Sequence, residues 1–83
     1  MNVQAQISIY PLKVDSLSEP IEQFCGVLET HGLEVQTRQM CSYLCGESDI
    51  VFKALKEAFD LVSGKYGVVM DLKISNACPA ESH

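Results

Sequence analysis

No stretch of this sequence approaches the roughly 18 consecutive apolar residues that a membrane-spanning helix requires. The opening MNVQAQISIY has neither a basic start nor a long apolar core, so no secretory signal is expected. These two absences make the cytoplasm the expected location, with no membrane insertion, and make reduced thiols the expected state of the four cysteines. Basic residues are scarce: six Lys and Arg stand against eleven Asp and Glu, for a formal net charge of −5. A nucleic-acid backbone is gripped by clustered cations, so nucleic acid is not an expected partner. Neither G-x-G-x-x-G nor a P-loop is present, and there is no internal repeat or low-complexity run.

What is present suits one small domain. The 83 residues allow no more than that. A domain of this length buries only about 60% of its unfolded surface. An apolar content of 47% nevertheless argues against disorder. The domain is expected over residues 1–79, with 80–83 as a loose tail.

Periodicity supplies the elements. Val3, Ala5, Ile7 and Ile9 alternate with Gln4, Gln6, Ser8 and Tyr10, the pattern of a half-buried strand, and Pro11 is expected to end it. Ser18 or Glu19 then offers a cap, and Pro20 suits a first helical turn. Ile21, Phe24, Cys25 and Leu28 follow at helical spacing, and Gly32 is a natural stop. Leu33, Val35 and Thr37 alternate in a strand running to Met40. Ser42–Cys45 forms a third strand with Ser42 and Leu44 on one face, which Gly46 is expected to close. The break between these two strands, from Arg38 to Cys41, carries no strong turn signal.

Ser48 is expected to cap a second helix whose carboxylates, Glu47 and Asp49, suit its positive end. Its apolar stripe is expected to be Phe52, Leu55, Phe59 and Val62, widened by Val51 and Ala58. Gly64 and Gly67 close it. Val68, Met70, Leu72 and Ile74 share a face of the last strand, and Asn76-Ala-Cys-Pro79 turns away. The order is βαββαβ. Two right-handed split crossovers make this an α+β, ferredoxin-like fold, a four-stranded antiparallel sheet with both helices on one face. The other face carries Gln4, Gln6, Ser8, Tyr10, Gln36, Tyr43, Asp71, Lys73 and Ser75. Such a mixed surface often pairs with a second sheet.

Little in the chain points to catalysis. Cys41 and Cys45 are four residues apart, which is neither the C-x-x-C redox spacing nor a common zinc spacing. On a strand they would lie about 13 Å apart at roughly 3.3 Å per residue, too far to share a metal or a disulfide. No metal site is expected, and these thiols, with Cys25, read as packing side chains. A nucleophile needs a base beside it. The two histidines, His31 at a helix end and His83 in the tail, have no evident partner. That leaves the strand–glycine–acid–helix turn in CSYLCGESD (Cys41 to Asp49), which taken by itself reads first as a helix cap and second as the mouth of a ligand cleft.

Three segments carry a resemblance: Ser8-Ile-Tyr-Pro-Leu12, Ser42-Tyr-Leu-Cys-Gly-Glu-Ser-Asp-Ile-Val-Phe52 and Val69-Met-Asp-Leu-Lys-Ile-Ser-Asn-Ala-Cys-Pro79. In this order they resemble the YkoF-like family of thiamin and hydroxymethylpyrimidine binding proteins, and the related single-domain thiamin-binding family, over nearly the whole chain from Gln6 to Pro79. The resemblance implies a binding protein that is not an enzyme and uses no cofactor, with thiamin or hydroxymethylpyrimidine as ligand. YkoF-like members carry two such domains per chain. One domain here implies that the other half comes from another subunit, in a homodimer or homotetramer joined through the sheet.

Thiamin presents a flat aminopyrimidine, a cationic thiazolium and a hydroxyethyl arm. Its pyrimidine needs an apolar or aromatic wall and hydrogen-bonding groups at its edge. Tyr10 is the expected wall, and Ser8, Ser42, Ser75 and Asn76 the expected edge partners. Glu47 or Asp49 would accept from the exocyclic amine or balance the thiazolium. The alternative is an oligomeric regulatory domain that senses another small metabolite.

Overall fold

Val3, Ala5 and Ile7 are at most 3% exposed, so the alternation that opens the sequence does place one face of the first strand in the core. The computed structural model describes residues 1–38 and 41–77. It contains β1 (Asn2–Leu12), α1 (Ser18–Thr30), β2 (Gln36–Thr37), β3 (Ser42–Glu47), α2 (Ser48–Ser63) and β4 (Gly67–Ser75). The strands form one antiparallel sheet in the order β2-β3-β1-β4. This is the ferredoxin-like α+β arrangement expected. The expected turn through Cys78 and Pro79 and the tail 80–83 lie outside the described residues, as does the end of the expected second strand at Gln39 and Met40.

Several local expectations are corrected. Pro11 does not end β1; it continues opposite Val68. Within β1, only Asn2–Ile7 pair with β3, so Pro11 lies on a stretch with one open edge, where a residue without an N–H is tolerated. β2 shrinks to two residues, and Leu33, 7% exposed, packs in the core ahead of it. Arg38 N donates to Cys41 O at 2.7 Å across the β2–β3 connection.

Gly46 is a strand residue opposite Val3, not a strand end. A Cβ there would stand 2.7 Å from Leu33 Cδ2 and 3.2 Å from Val51 Cγ2. The glycine therefore marks close packing of β3 against the core. Gly32, by contrast, has φ of 81° and turns the chain out of α1 as expected.

The helix starts also differ. Leu17, without a side-chain cap bond, precedes α1, and Ser16 Oγ accepts from Ser18 N at 3.3 Å. Glu47, not Ser48, caps α2: its carboxylate accepts from Asp49 N at 2.9 Å. The buried stripe of α2 is Val51, Ala54, Leu55, Ala58 and Val62, while Phe52 is 53% exposed. Ala54 and Ala58, both fully buried, take the stripe positions that leave Phe52 on the outer side of the helix. Phe24 and Leu28 of α1, Leu44 of β3 and the inner residues of β1 complete the core. His31, at the end of α1, does have a partner: Glu57 Oε1 of α2 lies 2.9 Å from its Nε2.

Candidate functional site

The helices cover one face of the sheet and leave the other open. The pleat that buries Val3, Ala5 and Ile7 sends Gln4, Gln6, Ser8 and Tyr10 to the open face. Register then builds rows across it. Gln36, Tyr43, Gln6 and Lys73 align across all four strands, and Cys45, Gln4 and Ser75 align beside them.

Two adjoining depressions lie on these rows, and Gln4 and Tyr43 line both. The first, of about 400 Å³, is bounded by Glu34, Gln36 and Arg38. The second, of about 580 Å³, is bounded by Gln6, Lys73 and Ser75. Both fall within the usual range of small-molecule sites, about 300–1,000 Å³.

Tyr43 is the centre of this surface. The Arg38 guanidinium lies 5.4 Å from the centroid of its ring, within cation–π range, and Arg38 Nη2 donates to Gln36 Oε1 at 2.9 Å. The Cys41 side chain pushes the Tyr43 phenol above its ordinary value, with Arg38 opposing. The phenol is therefore neutral at physiological pH, and its hydroxyl both donates and accepts. Around it stand three amides, two cations and the Glu34 carboxylate. Such a set can stack a flat ring and read polar atoms along its edge.

The seven residues singled out from the sequence fall in different places. Ser75 lines the second depression, and its Oγ accepts from Ala77 N at 2.9 Å. Ser8 and Tyr10 share the open face but lie farther along β1, opposite Asp71 and Val69. Asn76 is exposed just beyond β4. Ser42 faces the helices at 8% exposure, with its Oγ 3.9 Å from Cys25 Sγ.

Glu47 and Asp49 sit at the start of α2. The Glu47 carboxylate accepts from the Met1 amine at 2.7 Å as well as from Asp49 N. The amine above all, then the Asp49 N–H, holds its carboxyl below the usual range, and Glu47 in turn raises the amine. Ser48 N donates to Met1 O at 2.8 Å, tying the chain's first residue to the same helix end. Cys45 is exposed on the open face rather than packed inside.

Sequence reasoning placed Gln4, Gln6, Tyr43 and Lys73 on this face without selecting them as site residues. Their alternation was the available signal. Arg38 had none, since it sits at the strand boundary that the sequence left unmarked.

The model of the YKOF-related family matches residues 2–81. The chain belongs to this family. Among solved structures, a hypothetical protein from Methanocaldococcus jannascii is 35% identical with a TM-score of 0.84, over 94% of this chain and 82% of that one. A Streptococcus pneumoniae protein is 22% identical with a TM-score of 0.84, over 99% of this chain and 93% of its own. A Thermotoga maritima protein, provisionally named for thiamine biosynthesis or salvage, is 19% identical with a TM-score of 0.79, over 90% of this chain and 83% of its own. The last two likenesses show the shared fold. No curated protein matches the chain.

Proposed function

We propose that this member of the YKOF-related family binds thiamin or its hydroxymethylpyrimidine part without transforming it, and serves thiamin uptake, salvage or sensing in the cytoplasm. The observation that carries this reading is the row Gln36–Tyr43–Gln6–Lys73, with depressions on either side of a phenol ring. The name of the Thermotoga maritima neighbour supports the same ligand class.

The chemistry fits. An aminopyrimidine stacks on Tyr43, and the amides of Gln4 and Gln6 offer a donor and an acceptor each to its ring nitrogens and exocyclic amine. Ser75 adds a hydroxyl at the far end, and Glu34, in the lining of the first depression, offers a carboxylate to balance a thiazolium. Amides, a phenol and an ammonium bind and orient. They do not make a paired nucleophile and base, which is why the proposal is binding and not catalysis. A second subunit stacked on the open face would roof these shallow depressions and exclude water from the ligand.

Arg38 and Lys73 beside Tyr43 favour a second reading, an oligomeric regulatory domain that senses a small anionic metabolite. One calorimetric panel of thiamin, its phosphates, hydroxymethylpyrimidine and amino acids separates the two. Binding of thiamin or hydroxymethylpyrimidine supports the first reading. Binding of an anionic compound alone supports the second.

A further inference from the structure

The two depressions beside Tyr43 differ in charge. Glu34 and Arg38 line the first, one charge of each sign. Lys73 is the single charged residue in the lining of the second. The chain as a whole carries a net charge of −5, yet this cation is left unbalanced. Lys56 Nζ is held by Asp60 at 2.7 Å, and Arg38 by Gln36 and the Tyr43 ring. Lys73 is in no ion pair or side-chain hydrogen bond among the described residues. Asp71, the one carboxylate on β4, lies two residues away on the same face and does not line the depression.

Hydrogen-bond donors accompany the charge. Ser75 Oγ accepts from Ala77 N at 2.9 Å, and a hydroxyl that accepts still has its own proton to give. The Gln6 amide stands opposite Lys73 in register and is uncommitted among the described residues, so it offers two more N–H groups. An ammonium, a hydroxyl and an amide along one depression suit an oxyanion.

The spacing suits one attached to a ring. Tyr43, Gln6 and Lys73 lie in one row across β3, β1 and β4. Neighbouring strands are about 4.8 Å apart, so the Tyr43 and Lys73 backbones stand roughly 10 Å apart. The flexible four-carbon stem of Lys73 can close the gap to a group one methylene out from a ring on Tyr43.

We infer that the second depression is a phosphate subsite, and that it holds the phosphate monoester of the hydroxymethyl arm of an aminopyrimidine stacked on Tyr43. The assignment rests on the proposed stacking of an aminopyrimidine there, and adds the charge of what the ring carries. The two depressions then separate two ligands by charge. A thiazolium lies in the first beside Glu34, and a phosphate lies in the second beside Lys73. One ring serves both by turning end for end, because the amides of Gln4 and Gln6 each donate and accept.

Calorimetry with hydroxymethylpyrimidine, its phosphate monoester and inorganic phosphate tests this on the parent, Lys73→Gln and Lys73→Arg, each checked for folding by circular dichroism. Lys73 is exposed, so both variants should fold. The parent should bind the ester about tenfold more tightly than the alcohol at about pH 7.5. That ratio should shrink at about pH 5, below the second phosphate pKa of about 6. Lys73→Gln should bring the ratio close to unity, and Lys73→Arg should keep most of it. Equal affinity of the parent for alcohol and ester would overturn the inference and leave the aminopyrimidine site standing. So would a preference that survives Lys73→Gln, or inorganic phosphate that binds as tightly as the ester. If neither alcohol nor ester binds at millimolar concentration, the aminopyrimidine site itself is refuted, and the inference with it.

Discussion

Arg38 holds its guanidinium 5.4 Å from the centroid of the Tyr43 ring. It occupies space that a stacked ligand ring would want, and it places a positive charge where thiamin would bring another. The same charge would welcome a phosphate. Replacing Arg38 with Gln should therefore tighten thiamin binding by about two- to fivefold, the equivalent of an exposed cation–π contact of roughly 0.5–1 kcal/mol. It should weaken binding of thiamin phosphates. Calorimetry on both ligands measures the two directions, and a change of the same sign for both would refute this role for Arg38.

Glu47 should matter to stability and not to affinity. Its folded pKa is lowered, so its contribution is present above its unfolded value near 4.5 and is lost as the pH falls through the lower folded value. The Met1 amine is raised, so its contribution is present below its unfolded value near 8.0 and is lost as the pH rises through the higher folded value. The contact is thus strongest between these limits. Thermal melts of Glu47→Gln should lie below the parent inside that window, converge with it at low pH, and keep only part of the difference at high pH, where the carboxylate still accepts from Asp49 N. If the variant melts like the parent at pH 6, the contact contributes nothing.

Gly46→Ala should destabilise the fold by about 1–3 kcal/mol, the usual scale of core overpacking. The added methyl would meet Leu33 Cδ2 at 2.7 Å. In a Leu33→Val background the same change should cost less, because the shorter side chain gives way. Urea unfolding of the four proteins in this cycle gives the coupling. Strict additivity would contradict the packing described.

The sequence made the fold legible because strand alternation and helix spacing repeat over many residues. Val3, Ala5 and Ile7 needed no structure to be placed inside. Helix spacing alone does not choose between neighbouring stripes, and the stripe through Phe52 competes with the one through Ala54. The choice is made by tertiary packing, which buries Ala54 and Ala58 completely. Gly46 read as punctuation because its real constraint, Leu33, lies thirteen residues away. The open face was legible as a surface, but the depressions on it depend on register between strands and on Arg38, neither of which has a local signature.

The same stripe gives a stability test. Leu55 is 3% exposed and Phe52 is 53% exposed. Leu55→Ala should cost about 2–5 kcal/mol, and Phe52→Ser in dilute monomer about 0.5 kcal/mol or less. Equal losses in chemical denaturation would show that the helix is rotated from the orientation described.

The central claim is that Tyr43 forms the wall of a thiamin or hydroxymethylpyrimidine site. Titrating both compounds calorimetrically into the parent and into Tyr43→Leu tests it most directly. The parent should bind at least one of them. The folded variant, which keeps an apolar side chain but loses the aromatic plane and the hydroxyl, should bind about three- to tenfold more weakly. No heat from either compound at millimolar concentration, or identical affinity in parent and variant, would contradict the account.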